Sequence, residues 1–182
     1  MLLSDKDIQK AIANHRLTIL PFDKGALQPS SIDMTLDNKL LIMKRSVIAI
    51  DPLLPDRYDF MQQDLSQGRF SIQPGDFILG STREIVGLGG KLAARLEGKS
   101  SLGRLGLSIH TTAGFIDPGF GGQITLELNN HGTRPIILRY GMKIGQLCLF
   151  KLSSEPSALY GDIRFGSRYQ GQSGPTPSKG IG

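Results

Sequence analysis

A mainly β body with one short helix at its start is predicted by three features of the sequence. Glycine and proline are abundant, 23 and 10 of 182 residues, and they punctuate the chain at short intervals as turns between strands do. Apolar residues recur at every second position through most of the chain, the period of half-buried strands. Helical spacing is confined to one stretch near the beginning. Together these point to a many-stranded barrel or jelly roll.

Ser4, with Asp7 three residues on, is a helix-start signal, and Ile8, Ala11 and Ile12 keep helical spacing up to His15. Residues 17–20 and the alternating Ile32, Met34 and Leu36 then read as strands. Further strands are predicted over 40–50, 69–72, 77–81, 92–96, 107–110, 123–129, 135–139 and 144–152. Breaks fall at Pro74-Gly75, Gly89-Gly90, Pro118-Gly119 and Tyr140-Gly141. The polar, proline-containing stretch 51–68 reads as a long loop. From 161 to 182 the chain is rich in Gly, Ser, Pro and Gln, with almost nothing to bury, and is expected to be mobile when alone. The expected organisation is one β domain, 1–160, and a C-terminal tail, 161–182.

Composition excludes several function classes. The single cysteine, Cys148, cannot form an internal disulfide or a cysteine-based zinc site, which fits a reducing cytoplasm rather than a stapled secreted scaffold. No run approaches the roughly 18–20 apolar residues of a membrane span. Residues 1–4 lead into Asp5, Lys6 and Asp7, so neither membrane insertion nor secretion is expected. The net charge of +5 suits a phosphate-bearing ligand. No long basic run occurs, and the aromatics are not interleaved with clustered Lys and Arg, so nucleic acid is not the expected partner.

Two stretches carry candidate chemistry. The first, GKSSLGRLG at 98–106, combines small residues that permit close backbone approach, Ser100 and Ser101 as caps of a short helix, and the cations Lys99 and Arg104. These are the parts of a phosphate cradle, and equally of a serine-capped turn with two solvated cations. It is not a Walker loop, because Ala93 stands where that loop needs its first glycine.

The second, AGFIDPGFGGQITLE at 113–127, places Asp117 before a Pro-Gly turn and Glu127 in an alternating strand. Thr125, Glu127 and Asn129 share one face there, and Ile124, Leu126 and Leu128 the other. A polar face lining a pocket would partly desolvate Glu127 and suit it to taking and returning protons, whereas a polar face in water would leave it merely solvated. His15, His110 and His131 lack metal-ligand spacing and are assigned to no metal, and Cys148 reads as a core residue. Gln146, an amide in an apolar run, needs a partner.

These motifs, with QPSSIDMTL early, GMKIGQL later and GSRYQGQSGPTPS near the end, resemble the dCTP deaminases of the dUTPase superfamily, in that family's order and from residue 1 to about 179. The resemblance implies a distorted jelly-roll β-barrel of the dUTPase-like type and a homotrimer with active sites where subunits meet. It also implies a tail that closes over bound dCTP, no zinc, and Mg²⁺ carried on the substrate triphosphate. By motif position, Lys99, Ser100, Ser101, Leu102, Gly103 and Arg104 would hold the triphosphate, with Arg104 also near the reacting centre. Asp117 would meet the deoxyribose 3′-hydroxyl, and Thr125, Leu126 and Glu127 would read the pyrimidine. Gln146, Tyr160, Arg168 and Gln172 would complete the contacts. Glu127 would be the general base, and dTTP is the expected feedback inhibitor.

Within the family some members release dUTP and others proceed to dUMP and pyrophosphate, supplying thymidylate synthesis. Gly114 and Phe115 make AGFID, similar to the AGVID of dUTPases, where deaminase-only members carry a His-Arg type pair. The resemblance therefore favours the two-step enzyme, with Asp117 orienting or deprotonating the second water. Deamination alone, a plain dUTPase and a non-catalytic nucleotide sensor are the competing readings.

Overall fold

A computed structural model describes residues 1–54 and 59–181. The opening helix α1 (Asp5–Ala13) begins where the sequence signals it. Ser4 is the N-cap, its hydroxyl accepting from the Asp7 N–H at 3.4 Å, and Ile8 and Ala11 are buried. Thirteen strands follow among the described residues: β1 (Leu17–Leu20), β2 (Leu27–Gln28), β3 (Ser31–Thr35), β4 (Lys39–Met43), β5 (Phe60–Asp64), β6 (Arg69–Ile72), β7 (Phe77–Leu88), β8 (Leu92–Gly98), β9 (Leu107–Ser108), β10 (Phe115–Ile116), β11 (Gly121–Asn130), β12 (Ile136–Arg139) and β13 (Lys143–Lys151). A single helical turn, α2 (Ser100–Gly103), separates β8 from β9.

The strands form two main antiparallel sheets. One runs β5-β4-β7-β11-β9, with β1 also on β7; the other runs β10-β8-β13-β3-β2; β12 and β6 make a separate pair. Strand β7 organises the first sheet. One edge pairs along β11, while the other is shared, Leu41 and Ile42 of β4 opposite Leu79 and Ile78, and β1 opposite residues 85–88. One apolar core draws on both sheets, with Ile78, Val86, Leu126 and Leu128 from the first and Ile32, Met34, Leu96 and Leu147 from the second.

Four expectations are corrected. Strand β4 ends at Met43 rather than 50, because the apolar residues after it, Val47, Ile48 and Ile50, are exposed. The predicted loop 51–68 contains β5, paired along β4; residues 55–58 of that stretch lie outside the described residues. Only Leu107–Ser108 of 107–110 is strand.

Strand β7 runs on to Leu88 instead of stopping at 81. Its continuation reads as polar because Thr82 and Glu84 are buried with their bonding met internally. Glu84 accepts from the Thr35 N–H at 3.0 Å and the Thr35 hydroxyl at 2.5 Å, while the Thr82 hydroxyl accepts from the Ile124 N–H at 3.0 Å.

The tail is also more tied down than its composition suggests. It lies back along the start of β11, held by hydrogen bonds rather than apolar burial: Gly171 N–H to Gly121 O at 2.8 Å, and Gln170 Nε2 to Gly119 O at 2.9 Å.

Candidate active site

The alternation in β11 is the one read from the sequence. Ile124, Leu126 and Leu128 are buried, and Thr125, Glu127 and Asn129 turn to the other side, half exposed. That side faces an open cleft of about 480 Å³ whose polar lining includes Asp117, Thr125, Glu127, Tyr160 and Gln172. Glu127 is fixed in its wall. Its Oε2 accepts from the Thr111 N–H at 2.7 Å and, more weakly, from the Thr112 N–H at 3.4 Å, while its own N–H donates to Ile109 O at 2.9 Å. Its Oε1 has no hydrogen-bond partner among the described residues, so one carboxylate oxygen is oriented and the other is available. Asp117, exposed at the turn after β10, and Thr125, two residues before Glu127, stand in the same cleft.

The cradle segment forms a smaller concavity of about 260 Å³, lined by Gly98, Lys99, Ser100, Gly103 and Leu107 to His110. Ser100 and Ser101 are the first residues of α2 rather than its caps. Lys99 is the N-cap, without a side-chain capping bond. The Leu102, Gly103 and Arg104 N–H groups are spent on Lys99 O and Ser100 O, and the Leu102 side chain packs against the core. Within one chain Arg104 is exposed and lines neither concavity. Gln146 is also outside the main cleft, on β13 between Asp33 and Glu97 of the neighbouring strands. Leu126 points into the core and is fully buried within one chain.

Just before the tail, the Tyr160 ring packs tilted against Phe120 at 5.9 Å between centroids, and its hydroxyl accepts from the Tyr169 N–H at 3.1 Å. Arg168 donates from Nη1 to Lys179 O at 2.8 Å, and Gln172 donates from Nε2 to Gln123 O at 2.7 Å.

Sequence reasoning missed three groups. His110 lines both concavities, with Nε2 4.0 Å from Glu97 Oε2 and a buried Nδ1 that has no partner among the described residues; its place beside GKSSLGRLG and AGFID was the available signal. Asp33 and Lys143 form the second group. Asp33, 3% exposed, accepts from Lys99 Nζ on Oδ1 at 2.5 Å, lies 3.0 Å from Lys143 Nζ on Oδ2, and takes Gln28 Nε2 at 3.3 Å. Gln123 is the third, buried at the start of β11.

Burial opposes ionisation of Asp33, yet the hydrogen bonds and charges of Lys99 and Lys143 outweigh it and hold the carboxyl below its ordinary value. The pair therefore stabilises the fold fully above the unfolded value near 3.8, and that stability fades as pH falls through the lower folded value. Asp33→Asn is expected to cost about 1–3 kcal/mol at pH 7, toward the lower part of the buried-pair range because both lysines reach solvent. Urea titrations at pH 7 and at pH 3 check this. The parent's advantage should shrink at pH 3, and an equal advantage at both would remove the ion pair as its source.

Comparison with known proteins decides the family. The dCTP deaminase-like family matches residues 2–152. The chain belongs to that family. Proteins named dCTP deaminase, dUMP-forming, from Parafrankia sp. and Streptomyces coelicolor are 53% and 54% identical to it, covering 98% of this chain in both cases and 90% and 95% of their own. A solved structure, 2′-deoxycytidine 5′-triphosphate deaminase from Agrobacterium tumefaciens, matches with a TM-score of 0.65 at 25% identity over 81% of this chain. The chain spans 47% of that one. The fold is mainly β and is similar to that of the deaminase structure. Among the described residues no helix is long and apolar enough to cross a membrane.

Proposed function

We propose that this chain converts dCTP to dUMP in two hydrolytic steps at the Glu127 cleft. The observation that carries the reading is Glu127 itself, a strand carboxylate oriented through Oε2 by two backbone amides and free at Oε1 in a cleft that also holds Asp117. Glu127 takes a proton from a water, whose oxygen bonds to C4 of the cytosine ring, and returns it to the amino group, while the water's second proton ends on N3. The C4–N bond breaks, ammonia leaves, and a carbonyl remains. Such proton transfer is typically worth about 10²–10⁴ in rate. A second water, oriented by Asp117, attacks the α-phosphorus; the bond to the β-phosphate oxygen breaks, leaving dUMP and pyrophosphate. In this reading Asp117 also holds the 3′-hydroxyl, and residues 125–127 read the base edge.

Lys99, Ser100, Ser101 and Arg104 present cations and hydroxyls, a donor set that fits phosphate oxygens rather than a metal cage. Mg²⁺ entering on the triphosphate would be held by those oxygens, and when bound it neutralises charge on the departing pyrophosphate. The two concavities share only His110 in their linings, so one chain offers a base-and-sugar cleft and a separate phosphate cradle. This supports a homotrimer in which the cradle, Arg104 and Gln146 of one copy complete the cleft of the next. The tail, lying along β11, supports a role as a lid over the nucleotide. dTTP, which has the same sugar and triphosphate, is the expected competing ligand, and the lone reduced-type cysteine fits a cytoplasmic setting.

Chromatography of the products tests the reading: dCTP with Mg²⁺ should give ammonia, dUMP and pyrophosphate in equal amounts. Stoichiometric dUTP would reject the second step, and no ammonia the first. Chelating Mg²⁺ is expected to suppress dUMP formation more than ammonia release, measured in the same assay.

A further inference from the structure

We propose that Gln123 is a positioning residue that latches the C-terminal segment onto the strand carrying Glu127. The inference rests on the reading that the tail covers the bound nucleotide, and it names the contact that sets the closed position.

Gln123 is 8% exposed, and its side-chain amide is shared between the body and the tail. Nε2 donates to Asp37 Oδ2 and to Thr82 O, both at 2.8 Å. Oε1 accepts from the Gly174 N–H at 2.6 Å and from the Ser173 hydroxyl at 3.3 Å. The amide can point only this way, since the flipped rotamer would set its oxygen against a carboxylate and a carbonyl. The backbone of the same residue is engaged too: its N–H donates to Gln172 O at 3.0 Å, and its O accepts from Gln172 Nε2 at 2.7 Å.

The strand is built to receive the tail at this point. The β11–β7 register shifts between Gln123 and Thr125, a bulge that interrupts the regular ladder there. Gly122, at φ +147°, lets residue 172 approach so closely that a Cβ would sit 2.8 Å from Gln172 O. Beyond the bulge the Thr125 hydroxyl meets Gln172 Oε1 at 3.4 Å and accepts from the Thr176 N–H at 3.2 Å, so the segment reaches the cleft two residues from Glu127. Few apolar groups hold the tail, so its position depends on these polar contacts. Gln123 alone makes four of them, and it is also bonded to Asp37 and Thr82 in the body. Loosening it frees the tail without touching the reacting atoms.

Two full-length variants test this: Gln123→Met, which keeps the volume and removes the amide, and Ser173→Asp, which sets a carboxylate against Oε1 from the tail side and leaves every body contact intact. Both are expected to raise KM for dCTP about tenfold with kcat changed less than threefold. Both should also speed tryptic cleavage at Arg168 at least fivefold, while thermal unfolding of the body by circular dichroism stays cooperative. Combining Gln123→Met with Gln172→Met should raise KM by clearly less than the product of the single effects. Multiplying effects, or unchanged KM and cleavage in Ser173→Asp, would overturn the latch. Saturating dCTP should protect Arg168 in the parent protein. Absent protection there would overturn the lid reading underneath, a result distinguishable from a protected parent whose variants behave alike.

Discussion

Glu127→Gln is expected to lower ammonia release from dCTP by about 10²–10⁴-fold with little change in nucleotide binding. The variant keeps the side chain's shape and a carbonyl oxygen that can still accept the Thr111 N–H now bonded at 2.7 Å, so the 109–112 loop has no reason to move. What it loses is the ability to take a proton from water and return it to the amine. The two steps separate in this variant: dUTP supplied directly should still be split to dUMP and pyrophosphate, because Asp117 sits on a different element, at the turn after β10. An ammonia assay, calorimetric titration with dCTP, and chromatography after incubation with dUTP provide the readouts. Ammonia release within tenfold of the parent would remove Glu127 from the chemistry. Lost binding of dCTP would instead make it a strut for the loop.

Local pattern carried most of the fold. The Ser4 cap, the spacing of α1 and the alternation of β11 are properties of neighbouring residues, and the structure reproduces each. Pattern failed where a polar residue is satisfied at long range. The second half of β7 is read as non-strand because Thr82 and Glu84 look solvated, and only the fold supplies Thr35 and the Ile124 amide as partners. The reverse happens after β4, where apolar Val47 and Ile48 imitate a strand but none of the described residues covers them.

The candidate site divides the same way. Glu127, Asp117 and Thr125 were visible because they sit within one stretch whose alternation sorts faces. Asp33 and Gln123 were not, since the groups that give them a role, Lys99 for the one and Asp37 for the other, lie 66 and 86 residues away. Leu102 shows the opposite limit. A motif names it with its neighbours, but its side chain belongs to the core and its amide to the helix turn.

Replacing Gly114-Phe115 by His-Arg is expected to cut dUMP formation at least about tenfold more than ammonia release, so that dUTP accumulates. Gly114 is not at a positive φ; what it provides is room. A Cβ there would stand 3.0 Å from Leu96 O and 3.1 Å from His110 Cε1, and the Gly114 carbonyl is itself held by the Leu96 N–H at 2.8 Å, so the backbone cannot retreat freely. The strain passes into β10, which has only two residues, Phe115 opposite Arg95 and Ile116 opposite Ala94, to resist it. Asp117 follows directly, whereas Glu127 is fixed to the other sheet through the long β11–β7 ladder. A tilt of β10 therefore moves the carboxylate that places the second water more than the one that serves the first. Product ratios by chromatography under saturating dCTP measure the difference, and Phe115→Arg alone, which adds no Cβ at 114, should shift the ratio less. Equal loss of both products in the double variant would mean the loop merely supports the cleft as a whole.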